Sequence, residues 1–91
     1  MLIFALLNVQ QHRLQDVIKK INNLGNKHVN KVHLVYGEYD IIAELKANKP
    51  ETSAELLKVI RETEGVNSMK TYVVSDQITE DFKPSLLQEA W

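Results

Sequence analysis

The first part of the chain alternates between apolar runs and polar breaks in a pattern that predicts a strand, a helix and a second strand. Residues 2–9 form a nearly unbroken apolar run, which is typical of a strand with apolar neighbours on both faces. Residues 14–24 carry apolar side chains at helical spacing, and Gly25 is suited to end a helix. Residues 29–36 alternate between apolar and polar side chains, so we expect a half-exposed strand there.

The second part of the chain predicts a strand, a helix and a final strand. The run 41–47 predicts the third strand, and Pro50 would stop it because proline cannot donate a ladder hydrogen bond. Residues 52–55, with the sequence TSAE, match a capping box and predict that the second helix starts there. Gly65 would end that helix, and the β-branched and aromatic residues of 66–74 predict the last strand.

This order of elements is that of the ferredoxin-like fold, an α+β arrangement written βαββαβ. Right-handed crossovers would put the first and third strands in the centre of a four-stranded antiparallel sheet. Both helices would then cover the same face of that sheet.

The predicted central strands carry apolar side chains on both faces of the sheet. Residues 2–7 and 41–43 are apolar at every position. Two helices can cover only one face, so the other face would expose an apolar patch larger than small soluble proteins usually tolerate. The same face of a second copy is the simplest cover. We therefore predict a two-fold dimer, of the type called a dimeric α/β barrel.

Composition narrows the possible functions. The 91 residues carry a net charge of −1, which gives no basic surface for direct nucleic-acid binding. There is no cysteine, so disulfides, zinc–thiolate sites and thiol catalysis are excluded. The three histidines lack metal-ligand spacing, and neither a signal peptide nor a membrane span is predicted. We therefore expect a cytoplasmic protein without a cofactor, a metal or a catalytic residue.

The segment between the second and third strands is the one place where residues with binding chemistry lie together. Gly37 and Asp40 tolerate the positive φ of tight turns, so we expect a β-hairpin. The backbone N–H groups of a glycine loop can bind a carboxylate, and the Asp40 carboxylate can bind an ammonium group. Together they suit an amino-acid zwitterion. A structural alternative is that Gly37 shapes the turn and Asp40 accepts one of its hydrogen bonds.

Two motifs resemble the effector-binding domain of the Lrp/AsnC family, also called the RAM domain. The run YGEYDII at residues 36–42 is similar to the family's G-x-[YF]-D hairpin. The run EGVNSMKTYVV at residues 64–74 is similar to its last-strand pattern G-V-x-x-T-x-T, in which Thr71 fits the second threonine. The resemblance covers residues 1–75, and the spacing between the two motifs fits the family.

The resemblance implies a domain that senses a small amino acid and is not an enzyme. It implies dimers that meet through their sheet faces and join into rings, often octamers, with the effector between neighbouring dimers. The residues expected near the effector are Tyr36, Gly37, Tyr39, Asp40, Met69, Thr71, Tyr72 and Val73. Transcription would be regulated indirectly, through full-length regulators of the family or another partner.

Two features depart from the family pattern. Met69 stands where the family often has threonine, so the expected site has one hydroxyl fewer. The first predicted strand begins at residue 2, without a preceding helix-turn-helix domain, and we therefore expect a stand-alone effector domain. Residues 76–91 are expected to form a tail that packs on the domain or on a neighbouring subunit.

Two other functions fit the same architecture. One is a small cofactor-free enzyme of the dimeric α+β barrel class, either a monooxygenase or an isomerase. It would need a cavity between sheet and helices, with His33 and Tyr36 as the candidate reactive residues. The other is a purely structural oligomerisation domain that binds no ligand between its subunits.

Overall fold

Six main elements follow one another in the predicted order in the computed structural model, which describes residues 1–75. The strands are β1 (Leu2–Val9), β2 (Val29–Leu34), β3 (Ile41–Lys46) and β4 (Val66–Val73). The helices are α1 (Leu14–Asn22), which follows a short 3-10 turn, and α2 (Pro50–Arg61). Neither helix is long and apolar enough to cross a membrane. The predicted tail, residues 76–91, lies outside the described residues.

The four strands form one antiparallel sheet in the order β2-β3-β1-β4. In the middle of the sheet, Ala5 of β1 lies opposite Ala43 of β3 on one side and Thr71 of β4 on the other. The central positions of β1 and β3 confirm the ferredoxin-like prediction.

One face of the sheet packs against both helices. Val17 and Ile21 of α1, together with Leu56 and Ile60 of α2, are buried against alternate residues of β1 and β3. The strand residues of this core are Ile3, Ala5, Leu7, Val9, Ile41, Ala43 and Leu45. Removal of this apolar surface from water is the main stabilising contribution to the fold, because each buried aliphatic side chain contributes about 1.5–3 kcal/mol.

The opposite side of the sheet, which we call the open face, is also apolar at its centre. Its apolar members are Leu2, Phe4, Leu6, Ile42 and Tyr72, which alternate along their strands with helix-facing residues. Leu6 lies opposite Ile42, and Phe4 lies opposite Tyr72. The first four are only half-buried and Tyr72 is 54% exposed, because both helices lie on the other side. The apolar surface expected on a second face is therefore present.

The start of α2 differs from the predicted capping box. The helix begins at Pro50, and Lys49 at the N-cap makes no side-chain hydrogen bond to the first turn. Proline suits this position because its fixed φ is helical and its missing N–H would be unpaired there anyway. The Ser53 hydroxyl donates to the Pro50 carbonyl at 2.8 Å, so it lies inside the helix rather than before it.

Strand β2 is shorter than predicted and is irregular. It ends at Leu34, and Tyr36 is fully exposed beyond it. The register with β3 shifts between Val29 and Lys31, which are opposite Leu45 and Glu44. An extra residue at such a bulge changes which side chains share a face. Val29 and Val32 consequently both pack towards the helices, although a regular strand would place them on opposite faces.

Candidate functional site

The predicted hairpin is a four-residue loop between β2 and β3. The Val35 amide donates to the Asp40 carbonyl at 3.0 Å and closes the loop at residues 36–39. Gly37 has φ +148°, and a Cβ built there meets nothing within 4 Å. Glycine is therefore favoured by the backbone conformation and not by lack of space.

Asp40 connects the hairpin to the end of the neighbouring central strand. Its carboxylate oxygen Oδ2 accepts a hydrogen bond from the Val9 amide at 2.8 Å. Its own backbone amide donates to the Leu7 carbonyl at 2.8 Å. The other carboxylate oxygen, Oδ1, makes no hydrogen bond within residues 1–75. Asp40 thus has a structural role that uses one of its two carboxylate oxygens.

The expected reason for an aspartate at position 40 is corrected by these contacts. No residue other than glycine has positive φ within residues 1–75, so Asp40 does not supply a left-handed turn conformation. The donor to its carboxylate is Val9 of β1, which lies outside the turn. The aspartate is therefore explained by a contact between strands.

Asn8 and Ser68 also hold the hairpin, and the sequence motifs did not identify them. The Asn8 side-chain amide donates to the Glu38 carbonyl, and the Ser68 hydroxyl donates to Asn8 Oδ1 at 2.7 Å. These bonds connect the loop to the end of β1 and the beginning of β4. Asn8 is the one polar residue in the apolar run 2–9, and this was the available signal.

The predicted site residues on β4 lie on two different faces of the sheet. Met69 and Thr71 lie opposite Leu7 and Ala5, whose side chains face the helices. Val73 has the same orientation but is 55% exposed at the edge of the sheet. Tyr72 lies on the open face opposite Phe4.

Within one chain, Asp40 and the predicted β4 residue Thr71 are not brought together, although Asn8 and Ser68 connect the loop to the beginning of β4. Strand β1 separates β3 from β4, and two strand spacings amount to about 10 Å. Thr71 is also level with Ala43, three residues beyond Asp40 along the sheet. A ligand of amino-acid size could contact both Asp40 and Thr71 only if the two residues came from different copies of the chain.

Neither residue that the enzyme hypothesis required is enclosed between the sheet and the helices, although His33 borders an open groove between β2 and α1. His33 is exposed on the edge strand β2, and Tyr36 is fully exposed in the loop. The space between the sheet and the two helices is filled by the apolar core. In the described part of the chain, no group of three or more His, Asp or Glu residues could hold a metal ion.

Comparison with known proteins places these features in a family. The family model described as the Lrp/AsnC ligand binding domain matches residues 2–84. An uncharacterized HTH-type transcriptional regulator from Pyrococcus furiosus is 36% identical over 58 residues. That alignment covers 64% of this chain and 39% of the regulator, so the chain spans well under half of that relative.

Solved structures share the fold at low sequence identity. The protein TTHA0845 from Thermus thermophilus matches with a TM-score of 0.78 and 24% identity, over 87% of this chain and 98% of that one. The hypothetical protein PHS023 from Pyrococcus horikoshii matches with a TM-score of 0.71 and 18% identity, over 90% and 98%. At these identities the likeness establishes the architecture alone.

Proposed function

This chain belongs to the Lrp/AsnC ligand-binding domain family, and we propose that it senses a small amino acid and modulates transcription through the proteins with which it assembles. The observation that carries the proposal is the open face. An apolar sheet face needs cover, and a seam between copies is where a shared ligand site can form.

The first step is a dimer in which two open faces meet. The apolar centre of that face has a polar border that includes Lys31, Glu44 and Lys70. A hydrophobic centre with a polar rim is the usual composition of a stable protein interface. In our proposal these dimers then join into a ring, with an octamer as the expected assembly.

The second step is amino-acid binding between neighbouring dimers. Asp40 Oδ1 accepts a hydrogen bond from the ligand ammonium group, and the amides of the Gly37 loop bind the carboxylate. Charge-assisted hydrogen bonds of this kind are roughly twice as strong as neutral ones. The neighbouring dimer provides Thr71 and the residues after it on β4, because these lie too far from Asp40 within one chain. The proposed ligand residues are Tyr36, Gly37, Tyr39, Asp40, Met69, Thr71, Tyr72 and Val73.

Sensing follows from the position of the ligand. A ligand that binds at a seam has a higher affinity for the assembled state, and it shifts assembly by that difference in affinity. Full-length regulators of the family are the proposed receivers of this signal, because they would share the same assembly surfaces. The domain would act in the cytoplasm, without a catalytic step of its own and without contacting nucleic acid itself.

Native mass spectrometry of the full chain with each of the twenty amino acids tests the proposal. We expect one amino acid, or a chemically related group, to increase the population of a larger assembly and to add its own mass. The same ligand at 100 times its Kd stabilises the folded state by about 2.7 kcal/mol, which a thermal scan detects easily. If no amino acid changes either the particle mass or the thermal midpoint, the sensing proposal is wrong.

A further inference from the structure

A pocket lies at the end of the sheet opposite the hairpin. It is a pocket of about 380 Å³ where β3 ends, α2 begins and the chain enters β2. Its polar lining includes Lys27, His28, Lys46, Lys49 and Thr52. The Lys46 amide donates to the His28 carbonyl at 2.9 Å, which fixes the backbone of two lining residues against each other.

The charge of this pocket differs from that of the whole chain. Three lysines line the pocket and no Asp or Glu does, whereas the full sequence has a net charge of −1. None of the three forms an ion pair within residues 1–75. Arg13 gives the contrast, because it pairs with Asp16 at 3.4 Å and with Glu64 at 2.8 Å. The charges of the three lysines are thus not neutralised by an ion pair among those residues.

His28, which also lines the pocket, has a polar atom that lacks a partner. Its Nδ1 atom is buried and has no hydrogen-bond partner among the described residues. A buried nitrogen without a partner costs about 1–3 kcal/mol, and a bound water or ion is one way in which such a group is satisfied. The first turn of α2 borders the same pocket, and no side chain caps its N-terminus. Amides at an uncapped N-terminus add to the attraction for an anion.

We infer that this pocket binds the phosphate group of a small molecule, with Lys27, Lys46 and Lys49 as the charged contacts. Lysine ammonium groups bind phosphate as point charges, and three lysines around one pocket complement the negative charge of a phosphate group. The pocket is concave and local, which suits a small anion better than the extended backbone of a nucleic acid. The site is separate from the proposed amino-acid seam and does not depend on it.

Calorimetric titration of the full chain with pyrophosphate at low salt tests the inference. We expect one site per chain in the wild type and at least a tenfold loss of affinity in the triple variant K27Q/K46Q/K49Q. The matched control K19Q/K20Q/K58Q removes three lysines elsewhere on α1 and α2, and it should bind within about twofold of the wild type. Circular dichroism checks that each variant is folded.

Titrations with inorganic phosphate and with ATP distinguish a site for phosphate alone from a site for a nucleotide. Tighter binding of ATP than of pyrophosphate would indicate a nucleotide, and equal binding would indicate that phosphate alone is recognised. The inference is overturned if the wild type binds none of the three probes, or if the control variant loses as much affinity as the pocket variant. It is also overturned if only a DNA duplex binds. Amino-acid-dependent assembly should be unchanged in K27Q/K49Q, which leaves Lys46 beside Leu2 on the open face intact, so this test and that of the proposed function fail separately.

Discussion

The carboxylate of Asp40 accepts a hydrogen bond from the backbone amide of Val9 at 2.8 Å, between residues 31 positions apart in the chain. Val9 is the last residue of the central strand β1 and is only 5% exposed, so its amide needs a partner within the protein. The second oxygen, Oδ1, makes no hydrogen bond within residues 1–75 and is the atom that we propose binds the ligand. In this proposal, folding and binding depend on different atoms of one side chain.

Substitutions at Asp40 separate these two roles. Asp40→Ala removes the acceptor, and we expect the free energy of unfolding to fall by about 1–3 kcal/mol because the Val9 amide loses its partner. Asp40→Asn keeps an acceptor oxygen but removes the charge, so it should lose under about 1 kcal/mol yet still abolish the amino-acid response. Urea denaturation and native mass spectrometry measure the two effects. An Asp40→Asn variant that still responds to the amino acid would remove Asp40 from the proposed ligand site.

Leu6 tests the open face. It lies between Ile42 and Lys70, half-buried in the single chain. Leu6→Asp would place a carboxylate inside the proposed dimer interface, which costs several kcal/mol for each copy. We expect light scattering after size-exclusion chromatography to show a smaller particle than the wild type. Ala54→Asp, on the exposed surface of α2, is the matched control and should leave the mass unchanged. An unchanged mass in folded Leu6→Asp would show that this face is not the interface.

Gly65 tests the close approach between β4 and the start of α1. A Cβ at this position would lie under 3.0 Å from the Cβ of Arg13, and φ is +101°. We expect Gly65→Ala to lower the free energy of unfolding by about 2–4 kcal/mol, since steric overlap adds to backbone strain. Gly25→Ala is the control, because Gly25 has φ +91° with nothing within 4 Å of its Cβ and should lose only about 1–2 kcal/mol. Equal losses in urea denaturation would mean that the Arg13 contact is unimportant.

A substitution at the N-terminus of α2 is expected to raise the free energy of unfolding. Lys49 has the extended φ and ψ of an N-cap, −131° and 147°, but makes no capping hydrogen bond. Lys49→Ser should therefore raise the free energy of unfolding by about 0.5–1 kcal/mol. Thr52→Ala should change it by less than about 0.5 kcal/mol, because Thr52 lies within the helix and does not cap it. A large loss in Thr52→Ala would restore the capping box expected from the TSAE sequence.

Most of the fold follows from local patterns in the sequence. The unbroken apolar runs at residues 2–7 and 41–43 predicted a sheet with two apolar faces, and those faces are the core and the open face. The predicted bounds were wrong at the start of α2 and along β2. Pro50 can be read either as the end of a strand or as the first residue of a helix, and the bulge after Val29 has no marker in the sequence.

The candidate sites were less predictable because they join residues that are distant in the chain. The motif identified Asp40, but no local pattern shows that Val9 is its donor. The face on which Thr71 lies depends on its register with Ala5, which is set by the whole sheet. Likewise, Lys27 and Lys49 are unremarkable in sequence and become a pocket only when β2 and α2 are placed side by side.

Sedimentation equilibrium of the full chain at micromolar concentration tests the central claim most directly. A sheet that is apolar on both faces, with helices on one of them, should not exist as a single copy. We predict a particle of at least twice the 10.5 kDa chain mass, in an even multiple of chains. A folded species of 10.5 kDa across that concentration range would contradict the dimer, and with it the ring and the amino-acid site at its seam.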